Sequence, residues 1–175
     1  MRRGVLLIVF VAAAGTLGAC ARPGSIVDSS GGGEAATTGG PFAPESMRIY
    51  PLTHLERGED GEARLILHLE MRDRWGDTVK GVGRLQVQML RGGELGGGGG
   101  SDEREWAVDM RDPDVNALYF DPATRTYRVQ LRDLPAWAEA TVDGAGPAVR
   151  LLAVFTTPGA DGSTRYLRDE HTLGG

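Results

Sequence analysis

Hydrophobic and polar residues alternate strictly over several short stretches of this chain. In RLILHLEM, Leu65, Leu67, Leu69 and Met71 fall on one face, and Arg64, Ile66, His68 and Glu70 on the other. A period of two marks a half-buried strand, so the second set is expected to face solvent. RLQVQML sets Leu85, Val87 and Met89 against Gln86 and Gln88. EWAVDM turns Trp106, Val108 and Met110 inward, and TYRVQL does the same with Tyr127, Val129 and Leu131. VRLLAVFT is apolar enough for a central strand. MRIYPL and TRYLRD complete a set of about seven or eight.

Turn residues separate these runs. Asp60-Gly61, Asp143-Gly144 and Asp161-Gly162 suit the positive φ of tight turns. Pro113, Pro122, Pro135, Pro147 and Pro158 punctuate the gaps, where they spare the strand interiors. No stretch sustains a helical period, although residues 114–119 and 136–140 can form short helical turns. The pattern predicts an all-β fold: residues 47–175 as a single antiparallel β-sandwich, immunoglobulin-like or jelly-roll-like. The glycine-rich segment 91–104, RGGELGGGGGSDER, is expected as a long loop within that domain, because neither flanking half carries enough strands for a sandwich of its own.

Ahead of the strands the composition changes twice. Residues 21–46 are rich in Gly, Ser, Thr and Pro. Such a segment cannot bury enough apolar surface to offset its ordering entropy, and it reads as a tether. Residues 1–19 begin with Arg2 and Arg3 and continue in an apolar run, VLLIVFVAAA. That run is shorter than the roughly 20 residues a membrane-spanning helix needs, and its order is that of a secretory signal peptide. It ends in Leu17-Gly18-Ala19-Cys20, and Cys20 is the sole cysteine. The tetrapeptide resembles the lipobox of bacterial lipoproteins. The resemblance implies diacylglycerylation of the Cys20 thiol, cleavage before Cys20 and acylation of the new amine. Two or more acyl chains, each CH₂ worth about 0.8 kcal/mol when buried, make a stable anchor. Ala21 stands where an aspartate can act as an inner-membrane retention signal, so the resemblance favours the outer membrane, with the domain periplasmic or surface-facing.

Charge narrows the partners. The chain has 19 Lys and Arg against 24 Asp and Glu, a formal net charge of −5. An acidic surface argues against nucleic acid. The expected partners are the membrane, through the lipid on Cys20, and an envelope protein or glycan.

Catalytic patterns are missing from the sequence. With Cys20 acylated no thiol nucleophile remains. No serine sits in a G-x-S-x-G elbow, and the glycine run 96–100 lacks the Lys-Ser/Thr of a phosphate-binding loop. His54, His68 and His171 show no metal-ligand spacing, and no cofactor is expected. Two features keep other readings open. Asp73, Asp77, Asp112, Asp114 and Asp121 lie in loops that can converge on calcium at one end of a sandwich, although Asp is also a turn-former and helix cap. Trp75, in DRWGD, either plugs the end of the sandwich or joins Trp137 in stacking on a sugar. The sequence thus points to a non-enzymatic binding or structural module on a lipid anchor. The alternatives are a carbohydrate-binding or calcium-dependent sandwich, and a hydrolase or lyase with carboxylates spread over a sheet face. Replacing the anchor residue tests the first element: Cys20→Ser is expected to abolish membrane fractionation and lipoprotein processing in a bacterial host.

Overall fold

The computed structural model describes residues 40–92 and 103–174. The signal segment, Cys20, most of the tether and the five-glycine run lie outside the described residues. The chain forms β1 (Ser46–Ile49), β2 (His54–Arg57), β3 (Ala63–Arg72), β4 (Arg84–Arg91), β5 (Glu103–Asp109), α1 (Pro113–Tyr119), β6 (Phe120–Asp121), β7 (Thr126–Leu131), α2 (Ala136–Val142), β8 (Val149–Pro158) and β9 (Thr164–Leu173).

These strands make two antiparallel sheets packed face to face. In the first, β3 has β1 and β2 along one edge and β7 along the other, with β6 outside β7. The second runs β5-β4-β8-β9. Lettered in chain order, the arrangement is A-B-E-D against C′-C-F-G, the strand order of an immunoglobulin-like sandwich. The expected all-β sandwich is therefore present, and its order selects the immunoglobulin-like alternative. The two short helices fall where helical turns were expected. Asp112 caps α1 by accepting from the Asp114 and Val115 amides, with Pro113 in the first turn.

Alternation fixes the core. Leu65, Leu67 and Leu69 of β3, Leu85, Val87 and Met89 of β4, Val129 of β7 and Leu151, Ala153 and Phe155 of β8 are all buried. Each large side chain there is worth roughly 2–5 kcal/mol on truncation to Ala. The sheets are also joined at their rim. Asp169 of β9 accepts the Ile49 amide of β1 at 2.7 Å. That bond satisfies an edge-strand donor that would otherwise be free to pair with another chain.

Three details depart from the sequence reading. The outward face of β3 is covered: Ile66, His68 and Glu70 are buried. Arg48 and Arg72 grip the Glu70 carboxylate at 2.6 and 3.0 Å, and their long side chains overlie this face. At the break between β1 and β2 the Thr53 hydroxyl accepts the His68 amide at 3.0 Å, so side chain replaces strand. The tether also ends earlier than expected. Pro44 is buried, and the Glu45 amide bonds the Arg72 carbonyl at 2.8 Å. Finally, Arg91 closes β4 and Glu103 opens β5, so the ends of the predicted 91–104 loop belong to strands.

A buried polar network sits between β7, α1 and the β3–β4 connection. The Tyr127 hydroxyl accepts the Gly81 amide at 3.0 Å and donates to Asn116 Oδ1 at 2.9 Å. Asn116 Nδ2 donates to the carbonyls of Gly81 and Met110 at 2.6 and 3.0 Å. Burial raises the Tyr127 pKa, which keeps the phenol a donor. Tyr127→Phe leaves the Gly81 amide and Asn116 Oδ1 unpaired. The expected loss is about 2–4 kcal/mol, read from urea unfolding.

Candidate functional site

The structure does not gather the acidic loop residues around one point, as a calcium site would require. Asp73 Oδ1 accepts the amides of Trp75 and Asp77 at 2.9 and 3.0 Å, closing the turn after β3. Asp112 caps α1, and Asp114 occupies its first turn. Asp121 accepts the Ala123 amide at 2.9 Å and the Thr124 hydroxyl at 3.0 Å, and these bonds lower its pKa. Calcium requires six to eight oxygens directed at one point. Among the described residues no group of three or more His, Cys, Asp or Glu is placed to hold a metal.

The two tryptophans are also separate. Trp75 is 59 % exposed, so it does not plug the sandwich. Its ring lies 5.6 Å from Phe42, and the Arg74 guanidinium lies 5.4 Å from its centroid. Trp137 sits half-buried in α2, packed against the core. That helix contacts β2 and the N-terminal part of the β3 sheet, whereas Trp75 follows the C-terminal end of β3. At about 3.3 Å per residue, the ten residues of β3 hold the two indoles at opposite ends. A shared sugar platform is therefore not built.

A groove that the sequence reading did not single out lies on the outer face of the second sheet. Its floor follows from register. Arg84 of β4 pairs Thr156 of β8, and Thr156 pairs Tyr166 of β9, which sets the three side chains in one row. The β8–β9 turn forms one wall. There the Gly162 amide bonds the Gly159 carbonyl, and Asp161 accepts the Ser163 amide and hydroxyl. Arg111, just past β5, forms the other wall. It donates through Nε to both Asp109 carboxylate oxygens at 2.8 and 3.1 Å. The Arg111 bonds hold the Asp109 pKa well below the usual carboxylate range.

The resulting hollow is about 680 Å³ and is lined by Arg84, Gln86, Arg111, Thr156, Ser163 and Tyr166 among others. It offers guanidinium, amide and hydroxyl groups beside an aromatic ring that is 60 % exposed. Such groups can hold and orient a polar ligand; guanidinium remains protonated and transfers no proton. The groove had one sequence signal: Tyr166 falls among Thr164, Arg168 and Glu170, an aromatic on the polar face of its strand. A second hollow, at the β2–β3 turn, is lined by charges that face one another, with Arg64 3.5 Å from Glu56 and 3.6 Å from Asp60. The two groove arginines share one carboxylate, Asp109, with Arg84 3.9 Å from it, so the groove keeps an excess of positive charge. It also has an exposed aromatic ring, which the second hollow lacks, and is the stronger candidate.

No protein-family model, curated protein or solved structure matches this chain. No helix among the described residues is long and apolar enough to cross a membrane.

His68 belongs to the scaffold. It was expected on a solvated face and is only 5 % exposed, with Nδ1 2.9 Å from the Thr126 hydroxyl. Burial, reinforced by Arg128, lowers its pKa. The folded state thus prefers neutral imidazole and binds fewer protons than the unfolded chain. Its contribution to stability is present above the ordinary histidine pKa of about 6.5 and is lost as pH falls through the lower folded value. Unfolding free energies measured between pH 8 and pH 5 should decline in this window, and His68→Gln should flatten the decline.

Proposed function

We propose that this chain is a bacterial envelope lipoprotein, held at the outer membrane by acylated Cys20, whose sandwich is a non-enzymatic binding module. One observation carries the binding role: the groove above the Arg84–Thr156–Tyr166 row, an aromatic ring flanked by guanidiniums on an otherwise acidic protein. Aromatic and arginine side chains are the groups that dominate binding energy at interfaces, because one contributes area at low entropy cost and the other forked hydrogen bonds. The chemistry of the lining favours holding over turnover. The Ser163 hydroxyl donates a hydrogen bond to Asp161 at 2.6 Å in a turn. Beside it, among the described residues, the lining offers two arginines and the Tyr166 phenol but no histidine, lysine or free carboxylate to act as a base near pH 7. Anchoring supports the same reading, since a tethered domain meets a neighbour at high effective concentration and a weak interface suffices. The ligand is an envelope protein or glycan.

A photocrosslinking residue placed at Tyr166 in cells of the native host tests this. The expected outcome is a specific envelope adduct that is absent when the crosslinker replaces Gln130, which is exposed on the other sheet. Arg84→Glu should lower its yield about tenfold, the effect of losing one charge-assisted hydrogen bond. Equal labelling from both positions, or turnover of a cell-wall substrate by the purified protein, overturns the binding reading.

A further inference from the structure

Exposed apolar side chains are distributed unevenly over the sandwich. The large ones among the described residues are Phe42, Leu52, Trp75, Val115, Leu118 and Tyr166. Tyr166 belongs to the groove. Of the other five, four lie at one end of the molecule. Phe42 and Trp75 touch beside the start of β1 and the end of β3. Val115 and Leu118 are three apart on α1, on a helix whose Asn116 is bonded inward to Gly81 and Met110. Leu118 is 85 % exposed and Phe42 is 67 % exposed. The opposite end carries Glu59, Asp60, Glu62, Asp133, Glu139 and Asp143, all exposed.

The apolar end is also where the described chain begins, at Gly40. Residues 21–39 separate it from Cys20 and reach at most about 65 Å even when fully extended. We propose that this end is a lipid-contact face: Phe42, Trp75, Val115 and Leu118 enter the headgroup–acyl boundary of the membrane to which Cys20 is anchored, setting the orientation of the sandwich. This inference rests on the lipoprotein reading above. Tryptophan prefers that boundary because its ring is apolar and its indole N–H is polar. Arg74, over the Trp75 ring, and Lys80, 4.4 Å from the Phe120 ring centroid, have apolar stems that let their charges stay at headgroup level. Asp77, Asp112 and Asp114 at the same end offset those cations. Contact is therefore driven by apolar burial, and it should depend little on salt or on anionic lipid. The chain's acyl anchor supplies the residence, so the side chains need only a modest gain.

The test uses the protein expressed from its whole sequence in a bacterial host and purified as that host processes it, in phosphatidylcholine vesicles whose acyl chains are brominated near the headgroups. Flotation with the vesicles reads the anchor, and tryptophan quenching reads the face. The expected result is quenching with a blue shift, carried by Trp75 and therefore absent in Trp75→Ala. Leu118→Asp, at a side chain that contributes nothing to the core, should weaken the quenching and leave flotation intact. Flotation without quenching overturns the lipid-contact face and leaves the anchor standing. Loss of flotation overturns the anchor, and the lipid-contact face with it.

Discussion

Two sheets that share no backbone hydrogen bonds must still be held at one spacing and one angle, and here the Tyr127–Asn116–Gly81 cluster supplies that constraint. Its members come from β7, from α1 and from the crossing between β3 and β4, so the bonds tie both sheets to the helix that bridges them. Every polar atom of the Asn116 amide is used: two N–H groups donate and the carbonyl accepts. A buried network of this kind is favourable only when complete, because each unpaired member costs about 1–3 kcal/mol. Its geometry also explains the glycines around it. A Cβ on Gly81 would lie 2.6 Å from the Met71 sulfur and 2.9 Å from Phe155. One on Gly83 would lie 2.1 Å from the Thr156 carbonyl oxygen. The crossing strand can approach the core this closely only without side chains, and that approach brings the Gly81 amide to the phenol.

The turn that precedes this crossing, Asp73–Asp77, lies on the outside, and Trp75 projects from it. Asp73 is buried by this arrangement and spends one carboxylate oxygen on two turn amides. A residue type that suits calcium is thereby consumed by backbone. Asp112 and Asp121 are consumed in the same way, at a helix start and a hairpin. Acidic loops collected at one end of a sandwich follow here from the need to close turns, since Asp mimics a backbone acceptor two residues on.

How far the sequence could be read depended on whether the responsible interaction was local. Alternation on β4 and β7 was legible because each inward residue meets the facing sheet and most outward ones are at least partly exposed. β8 was legible as a central strand from its apolar content, and it lies between β4 and β9. It misled on β3, whose outward Ile66, His68 and Glu70 are covered by side chains from strands distant in sequence, Arg48 among them. The strands β2 and β6, four and two residues long, carry too few positions for a period to register. Trp75 was legible as unusual but not as exposed, since its aromatic partner, Phe42, is more than thirty residues away in sequence. The groove was invisible for a similar reason. Arg84, Thr156 and Tyr166 are brought into one row by strand register, which no local pattern encodes.

Register also relates the groove to the apolar end. Arg84 opens β4 and Tyr166 lies near the start of β9, so the row belongs to the end of the sheet that is nearer Trp75. Glu45 joins these regions directly, within 3.2 Å of Arg165 on β9 and 3.8 Å of Arg74 beside Trp75. Such exposed pairs add little stability, about 0–1 kcal/mol each. Their role is positional: they fasten the segment that leads in from the tether across both sheets. A domain anchored through that segment would present the groove at the flank of the membrane-facing end, and the acidic β2–β3 and α2 end away from it. On the proposed anchoring, a ligand of this groove would lie along the membrane surface, within reach of Tyr166 from the side.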